Sequence, residues 1–256
     1  MVAVSGHEIV EKLYESQNST VYRARRQSDA QPVILKVLGS EYPTPEQLAR
    51  FRREFEITRN LDHDGAIRAV SLLKTGNQPV ISLEDFGGES LIRVLLARKL
   101  TLPEFLTLAI RVTEMVAAIH RRNIIHKDIN PSNIVWNHAT DEVKLIDYGI
   151  STTLSKENPE VRNPEVLEGT LSYMSPEQTG RMNRAMDYRT DLYSLGVTFY
   201  RMLSGKLPFE SEDPMELVHC HIARVPPKLK EVAPEVPPVI SAIVAKLMEK
   251  TAENRY

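Results

Sequence analysis

Within the run His126-Lys127-Asp128-Ile129-Asn130-Pro131-Ser132-Asn133, and again at Asp147-Tyr148-Gly149 further along, oxygen-bearing side chains sit among turn-forming residues. Such a set suits phosphoryl transfer. That reaction needs one carboxylate to orient an attacking hydroxyl and accept its proton, and separate oxygen ligands to fix a cation on the phosphates. Asp128 answers to the first need, Asn133 and Asp147 to the second. Mg2+ prefers hard oxygen ligands, keeps part of its water and shares its remaining positions with phosphate. Taken singly, each of these residues is an ordinary cap or turn residue. It is their joint occurrence in this order that points to chemistry.

The elements that must hold them follow from pattern. HEIVEKLY, TVYRARR, PVILKVL and QPVISLED are short β-like runs bounded by turn residues, which predicts a small antiparallel sheet near the start of the chain. Between them, Thr44, Pro45 and Gln47 form a capping box with proline at the first helical position, so a polar helix is expected through about Asn60. After Gly87-Gly88 the period changes. Phe105, Leu108, Ala109, Val112, Met115, Val116 and Ile119 recur at helical steps. Further helix starts are written at Ser175-Pro176-Glu177-Gln178 and Asp213-Pro214-Met215-Glu216, and Ile240, Ile243, Val244, Leu247 and Met248 mark a last helix. The stretch from Pro226 to Pro238 reads as a surface connection.

Composition narrows the partners. The 256 residues are 42% apolar and 26% charged, which excludes a disordered chain, and 34 acidic against 32 basic side chains leave a net charge of -2. No global field draws in nucleic acid or anionic lipid. No stretch approaches the ~18 apolar residues of a membrane span, and the single Cys220 fits packing in a reducing cytoplasm better than an internal disulfide.

The loop and turn resemble the catalytic loop and D-F-G turn of the protein kinase family, and the likeness covers nearly the whole chain. It implies an α+β, bilobal protein kinase fold: residues 1–86 as an N-lobe with an antiparallel sheet and one main helix, residues 87–256 as a mostly helical C-lobe. It implies ATP and Mg2+, with Asp128 as the proton acceptor and Asn133 and Asp147 as metal ligands. Lys36 in Val33-Ile34-Leu35-Lys36 resembles the lysine that grips the α- and β-phosphates, and Glu54 the helix glutamate that holds it. Tyr14, Ser16, Ser19 and Val21 occupy the phosphate-loop positions, Leu83 the gatekeeper, and Glu84 to Phe86 the hinge whose backbone meets adenine. Gly169 to Glu177 resembles the substrate-facing end of the activation segment in its Ser/Thr form. Asp191 resembles the aspartate that anchors the catalytic loop from below, and Arg255 the partner of Glu177. His126 is expected to be structural. The wording IIHKDINPSNIVWN, with MSPEQTGRMNRAMDYRTDLYSLG, is similar to the N-terminal kinase domains of bacterial hybrids that add an AAA-like ATPase region, a GAF sensor and a histidine kinase. The chain ends directly after ENRY, so a piece of a longer protein, less stable than a complete domain, is expected.

Two departures from the family pattern qualify the implied activity. Every glycine of the phosphate loop is replaced, in Tyr14-Glu15-Ser16-Gln17-Asn18-Ser19-Thr20-Val21, which predicts weaker ATP binding, with Ser16 and Ser19 read as turn residues that offer phosphate at most a minor contact. Asn130 stands where a lysine usually touches the transferring phosphate, which predicts slow turnover. Lys127 in place of arginine gives up a planar fork for holding a phosphorylated loop, although Thr152, Thr153 and Ser155 sit where regulatory phosphates could be placed. The rival readings are a pseudokinase-like, nucleotide-binding regulatory module and a small-molecule phosphotransferase. The Ser-Pro-Glu segment and its helix speak against the second.

Overall fold

The computed structural model describes residues 3–16, 18–153, 170–181 and 184–256. Gln17, Ser155 and Gly169, and the side chain of Thr153, lie outside the described residues.

The first lobe is a five-stranded antiparallel sheet in the order β1-β2-β3-β5-β4, built from β1 (His7–Glu15), β2 (Ser19–Arg26), β3 (Pro32–Leu38), β4 (Ala69–Thr75) and β5 (Gln78–Glu84). Four of these strands are the runs expected from sequence. β4 is not among them. It lies at the sheet edge, and only Ala69 of its seven residues is buried, so its apolar signal is weak. The helix α1 (Pro45–Asn60) starts at the expected capping box, with Thr44 and Gln47 exchanging side-chain and backbone hydrogen bonds. Phe51, Glu54, Phe55 and Thr58 are its buried residues, at three- and four-residue steps, so Glu54 shares the inward face of the helix with two phenylalanines. Those phenylalanines pack with Leu38, Ala69 and Ile81 of the sheet.

Gly87 and Gly88 carry the chain into the second lobe. A side chain at 88 would put its Cβ 2.6 Å from Val135, so the turn passes only with glycine there. The short strand β6 (Glu89–Ser90) joins β8 (Ile134–Asn137) and β9 (Glu142–Leu145) in a three-stranded sheet, and β7 (Ile124–Ile125) pairs with β10 (Thr152–Thr153). Around them pack α2 (Leu91–Ala97), α3 (Leu102–Arg121), α4 (Arg189–Ser204), α5 (Pro214–Ala223), α6 (Leu229–Val232) and α7 (Pro238–Leu247). One continuous core runs from Phe105 and Ile119 of α3 to Leu195, Phe199 and Met202 of α4 and Leu247 of α7. Gly196 lets α7 lie close to α4, because a Cβ there would sit 2.8 Å from that of Leu247.

Two expected features take a different form. The helix written at Ser175 is a single 3-10 turn, Pro176–Thr179, ended by Gly180 with φ of 68°. The connection from Pro226 to Pro238 contains α6, and Leu229, Ala233 and Val236 are buried, so it is pinned to the core rather than merely draped over it. No described helix is long and apolar enough to cross a membrane.

Candidate active site

The roof of the site is the inner face of the sheet. Lys36 pairs across β3 with Val21 of β2, and Val21 pairs with Tyr14 of β1, so the three side chains form a row on one face. Lys36 Nζ lies 2.6 Å from Glu54 Oε1 and 2.8 Å from Asp147 Oδ1. Burial pulls the Lys36 pKa down, but the Asp147 and Glu54 carboxylates outweigh it and leave the ammonium raised above its ordinary value. Burial raises Glu54, offset in part by Lys36. Desolvation raises Asp147 as well, although its side chain is 42% exposed, yet it ends lowered, because the Lys36 charge and the Gly149 N–H favour its ionised form. This ion triad ties the sheet, α1 and the Asp147 turn together.

At the tip of the β1–β2 hairpin, Ser16 Oγ accepts the N–H groups of Asn18 and Ser19, at 3.3 and 3.1 Å, and donates to Ser19 O. Ser16 N also donates to Ser19 O, at 2.9 Å. The Ser16 side chain thus holds the turn locally, and Gly39 N donates to Asn18 O at 2.8 Å from outside it. Two backbone N–H groups that a glycine loop would turn toward phosphate are held by a side chain, in keeping with the expected role of Ser16 as a turn residue.

The floor is the loop from His126 to Asn133. Asp128 Oδ1 accepts from Asn130 Nδ2 at 3.0 Å and from Thr170 N at 3.0 Å, and its Oδ2 accepts from Asn133 Nδ2 at 2.9 Å. Asn130 is buried. Its amide also reaches Asp128 O and Thr170 Oγ1, while its own Oδ1 accepts from Ser132 N at 2.8 Å. The residue read from sequence as a missing cation is thus turned into the loop, where it braces Asp128 against the activation segment. Asn133 Nδ2 donates to Asp128 O as well, so its amide nitrogen faces Asp128 and its oxygen points away. Ile146 N donates to Asn133 O, and Ile134 pairs with Leu145, which sets Asn133 and Asp147 at the same end of the β8–β9 hairpin.

This donor set fits a hard cation. Asp147 Oδ1 is engaged by Lys36 and Gly149 N, which leaves Oδ2, with the Asn133 oxygen from the same end of the hairpin, as the candidate donors. Among the described residues no group of three or more His, Cys, Asp or Glu could hold a metal by itself. A cation bound here must complete its shell with phosphate and water.

The sequence pattern of the family described as "Protein kinase domain" matches residues 7–256. This chain belongs to the protein kinase family. It is 32% identical over 241 residues to the serine/threonine-protein kinase pkn2 of Myxococcus xanthus, covering 92% of this chain and 29% of that protein. It is 31% identical over 247 residues to the serine/threonine-protein kinase PknL of Mycobacterium tuberculosis, covering 96% of this chain and 61% of that protein. The chain thus spans less than two thirds of the length of either relative.

In this kinase domain the expected architectural residues meet. Asp191, fully buried in α4, accepts the N–H groups of His126 and Lys127, each at 2.8 Å. His120 Nε2 lies 2.8 Å from the same carboxylate, a support not anticipated from sequence. Arg255 makes a two-pronged pair with Glu177 at 2.6 and 3.0 Å, and Thr190 donates to the same carboxylate. His126 packs on Tyr148, accepts Asp128 N at Nδ1 and contacts Ile146 O through Nε2, a structural use of both ring nitrogens. Arg50 of α1 donates to Gly149 O at 2.8 Å. Its place one helical turn before Glu54 is the only sequence signal for that contact. Of the residues expected to form the hinge, Leu83 and Glu84 end β5, paired with Ile34 and Val33 of β3, and Phe86 follows after Asp85. Cys220 is buried with Phe209 and Leu217, which is packing as expected.

Proposed function

We propose that this chain transfers the γ-phosphoryl group of ATP to a serine or threonine hydroxyl of a protein substrate. The observation that carries the reading is the ion triad of Lys36, Glu54 and Asp147, which puts a charged lysine beside the oxygen ligands at the cleft. In this reading residues 1–86 and 87–256 are the two lobes, and the nucleotide lies between them. Lys36, held by Glu54, binds the α- and β-phosphates, and Asn133 and Asp147 hold Mg2+, which neutralises phosphate charge when bound. Leu83, Glu84 and Phe86 border the base, and Tyr14 and Val21 share the face of the sheet above it.

Asp128 is the acceptor of the hydroxyl proton. A carboxylate offers about four lone-pair directions. Two on Oδ1 and one on Oδ2 are taken by Asn130, Thr170 and Asn133, so the substrate hydroxyl is received at Oδ2, on the side of Asn133. Asn130 acts as a positioning residue for Asp128. No lysine stands there to touch the transferring phosphate, so slow transfer is expected. The Ser16 turn, closed on itself, weakens phosphate binding by the hairpin.

The likeness of IIHKDINPSNIVWN to bacterial hybrid kinases supports attached ATPase, sensor and histidine kinase regions as partners, and use of ATP agrees with a cytoplasmic location. The test of the reading is transfer of radiolabelled phosphate from Mg-ATP to a general protein substrate over a long incubation. Labelling lost in both Asp128→Asn and Asp147→Asn is the expected result. Nucleotide-dependent thermal stabilisation without any transfer by the wild type would overturn it in favour of a binding module.

A further inference from the structure

Lys144 lies outside the site described above. It sits in β9 of the C-lobe, opposite Val135, yet its Nζ is 2.6 Å from Glu84 Oε1 at the end of β5 and 5.2 Å from the centre of the Phe86 ring. Its side chain is only 8% exposed. A lysine this buried needs such a partner, and breaking the pair strands the other charge. The same Glu84 oxygen accepts Arg68 N at 2.8 Å, and Glu84 N donates to Arg68 O at 3.0 Å.

The other end of the hinge is fastened to the same hairpin. Asn137 of β8 donates to Phe86 O at 2.5 Å. Between the two, Asp85 accepts from Arg23 Nε at 2.7 Å and from Gly87 N at 2.9 Å. The β8–β9 hairpin also begins just after Asn133 and ends two residues before Asp147. One rigid hairpin therefore carries the cation ligands at one end and holds the base-binding edge through Lys144 and Asn137. A nucleotide must satisfy both at once.

We propose that Lys144 is a positioning residue for the purine, fixing the hinge at Glu84–Phe86 relative to the phosphate site and so setting the preference for adenine over guanine. The inference rests on the reading of this site as a nucleotide site. Adenine presents a 6-amino donor where guanine presents a 6-oxo acceptor. Backbone groups can reject the wrong base only if they are held where they would be left unpaired against it.

The experiment compares the wild type with Lys144→Met, Lys144→Arg and the double variant Lys144→Met/Glu84→Gln. In Lys144→Met the KM for ATP should rise about tenfold, the size expected for loss of one charge-assisted contact. kcat should stay within about twofold, and the ratio of kcat/KM for ATP over GTP should fall. Inhibition by inorganic tripolyphosphate, which has no base, should not change. Lys144→Arg should restore most of the ATP preference. The double variant, with no stranded carboxylate, should recover the melting temperature while keeping the raised KM. A folded double variant with wild-type KM for ATP and wild-type base preference would overturn the proposal. So would tripolyphosphate weakening in step with ATP. A wild type that neither binds nucleotide nor transfers phosphate would overturn this inference together with the reading beneath it, whereas an active wild type indifferent to Lys144 overturns this inference alone.

Discussion

The floor and the roof of the cleft satisfy their polar groups in opposite ways. On the floor, Asp128 meets Thr170, and Asp191 meets His126 and Lys127, across 42 to 65 residues of chain. At the tip of the roof, the Ser16 hydroxyl makes its bonds within three residues, and one longer-range bond, from Gly39 N to Asn18 O, ties the turn to the end of β3. Long-range partners make the floor dependent on the packing of the whole C-lobe, and a lost partner there leaves a buried polar group stranded. The roof tip is local and tolerant. This difference fits the replacement of every glycine position of the hairpin, while the loop from His126 to Asn133 is held by long-range hydrogen bonds.

The largest effect should come from the floor's chemistry. Asp128→Asn is expected to lower transfer by about 10²–10⁴-fold, in the range for loss of a general base, with nucleotide-dependent thermal stabilisation retained. Transfer within threefold of wild type, measured with radiolabelled ATP, would remove Asp128 from its assigned role. Next, Asp191→Ala removes the buried carboxylate beneath the loop and should cost about 3–5 kcal/mol, read as a lower denaturant midpoint. If that cost were under about 1 kcal/mol, the floor would be no more interdependent than the roof.

A pH titration tests the same interdependence deeper in the C-lobe. His221 lies buried in α5, with Nδ1 3.1 Å from the Tyr193 hydroxyl, and packs against Phe209. Burial, with the Lys250 charge adding to it, lowers its pKa from 6.5 to about 4. The unfolded chain therefore takes up a proton near pH 6.5 that the folded chain refuses until about pH 4. Stability should be fully present above pH 6.5 and fall as the pH drops toward 4, by up to about 3 kcal/mol. His221→Gln should flatten the urea midpoint across that window, and an unchanged slope would assign the acid sensitivity elsewhere.

The smallest effect belongs to the roof. Replacing Ser16 and Ser19 by glycine should release the N–H groups now held by the Ser16 hydroxyl and tighten ATP binding a few-fold, for a change of about 1 kcal/mol. Titration calorimetry reads it directly. Unchanged affinity would mean that the closed turn is not what limits phosphate contact.

Much of the scaffold was legible because its signals are local. Thr44, Pro45 and Gln47 start α1 by short-range capping, and Asp213 caps α5 by accepting Met215 N at 2.8 Å. The edge strand β4 was not legible, since burial of Ala69 alone gives no alternating apolar pattern. Nor was the stop at Gly180, because a Ser-Pro-x-Gln start does not say how many turns follow. Asn130 shows the limit most clearly. Its identity announced a missing charge, but only its burial and its contacts with Asp128 and Thr170 revealed a brace.

The sequence by itself determined which residues are candidates for chemistry, since an acid, an amide and a second acid in fixed order around short loops are written in the chain. Tertiary structure alone decided their mutual geometry. Lys36 and Asp147 are 111 residues apart, and Lys144 and Glu84 are 60 apart. No short-range preference brings such pairs within 3 Å. They meet because the apolar faces of α1 and the sheet, and of α3, α4 and α7, must be buried together, and the charged groups they carry are delivered to one cleft as a consequence.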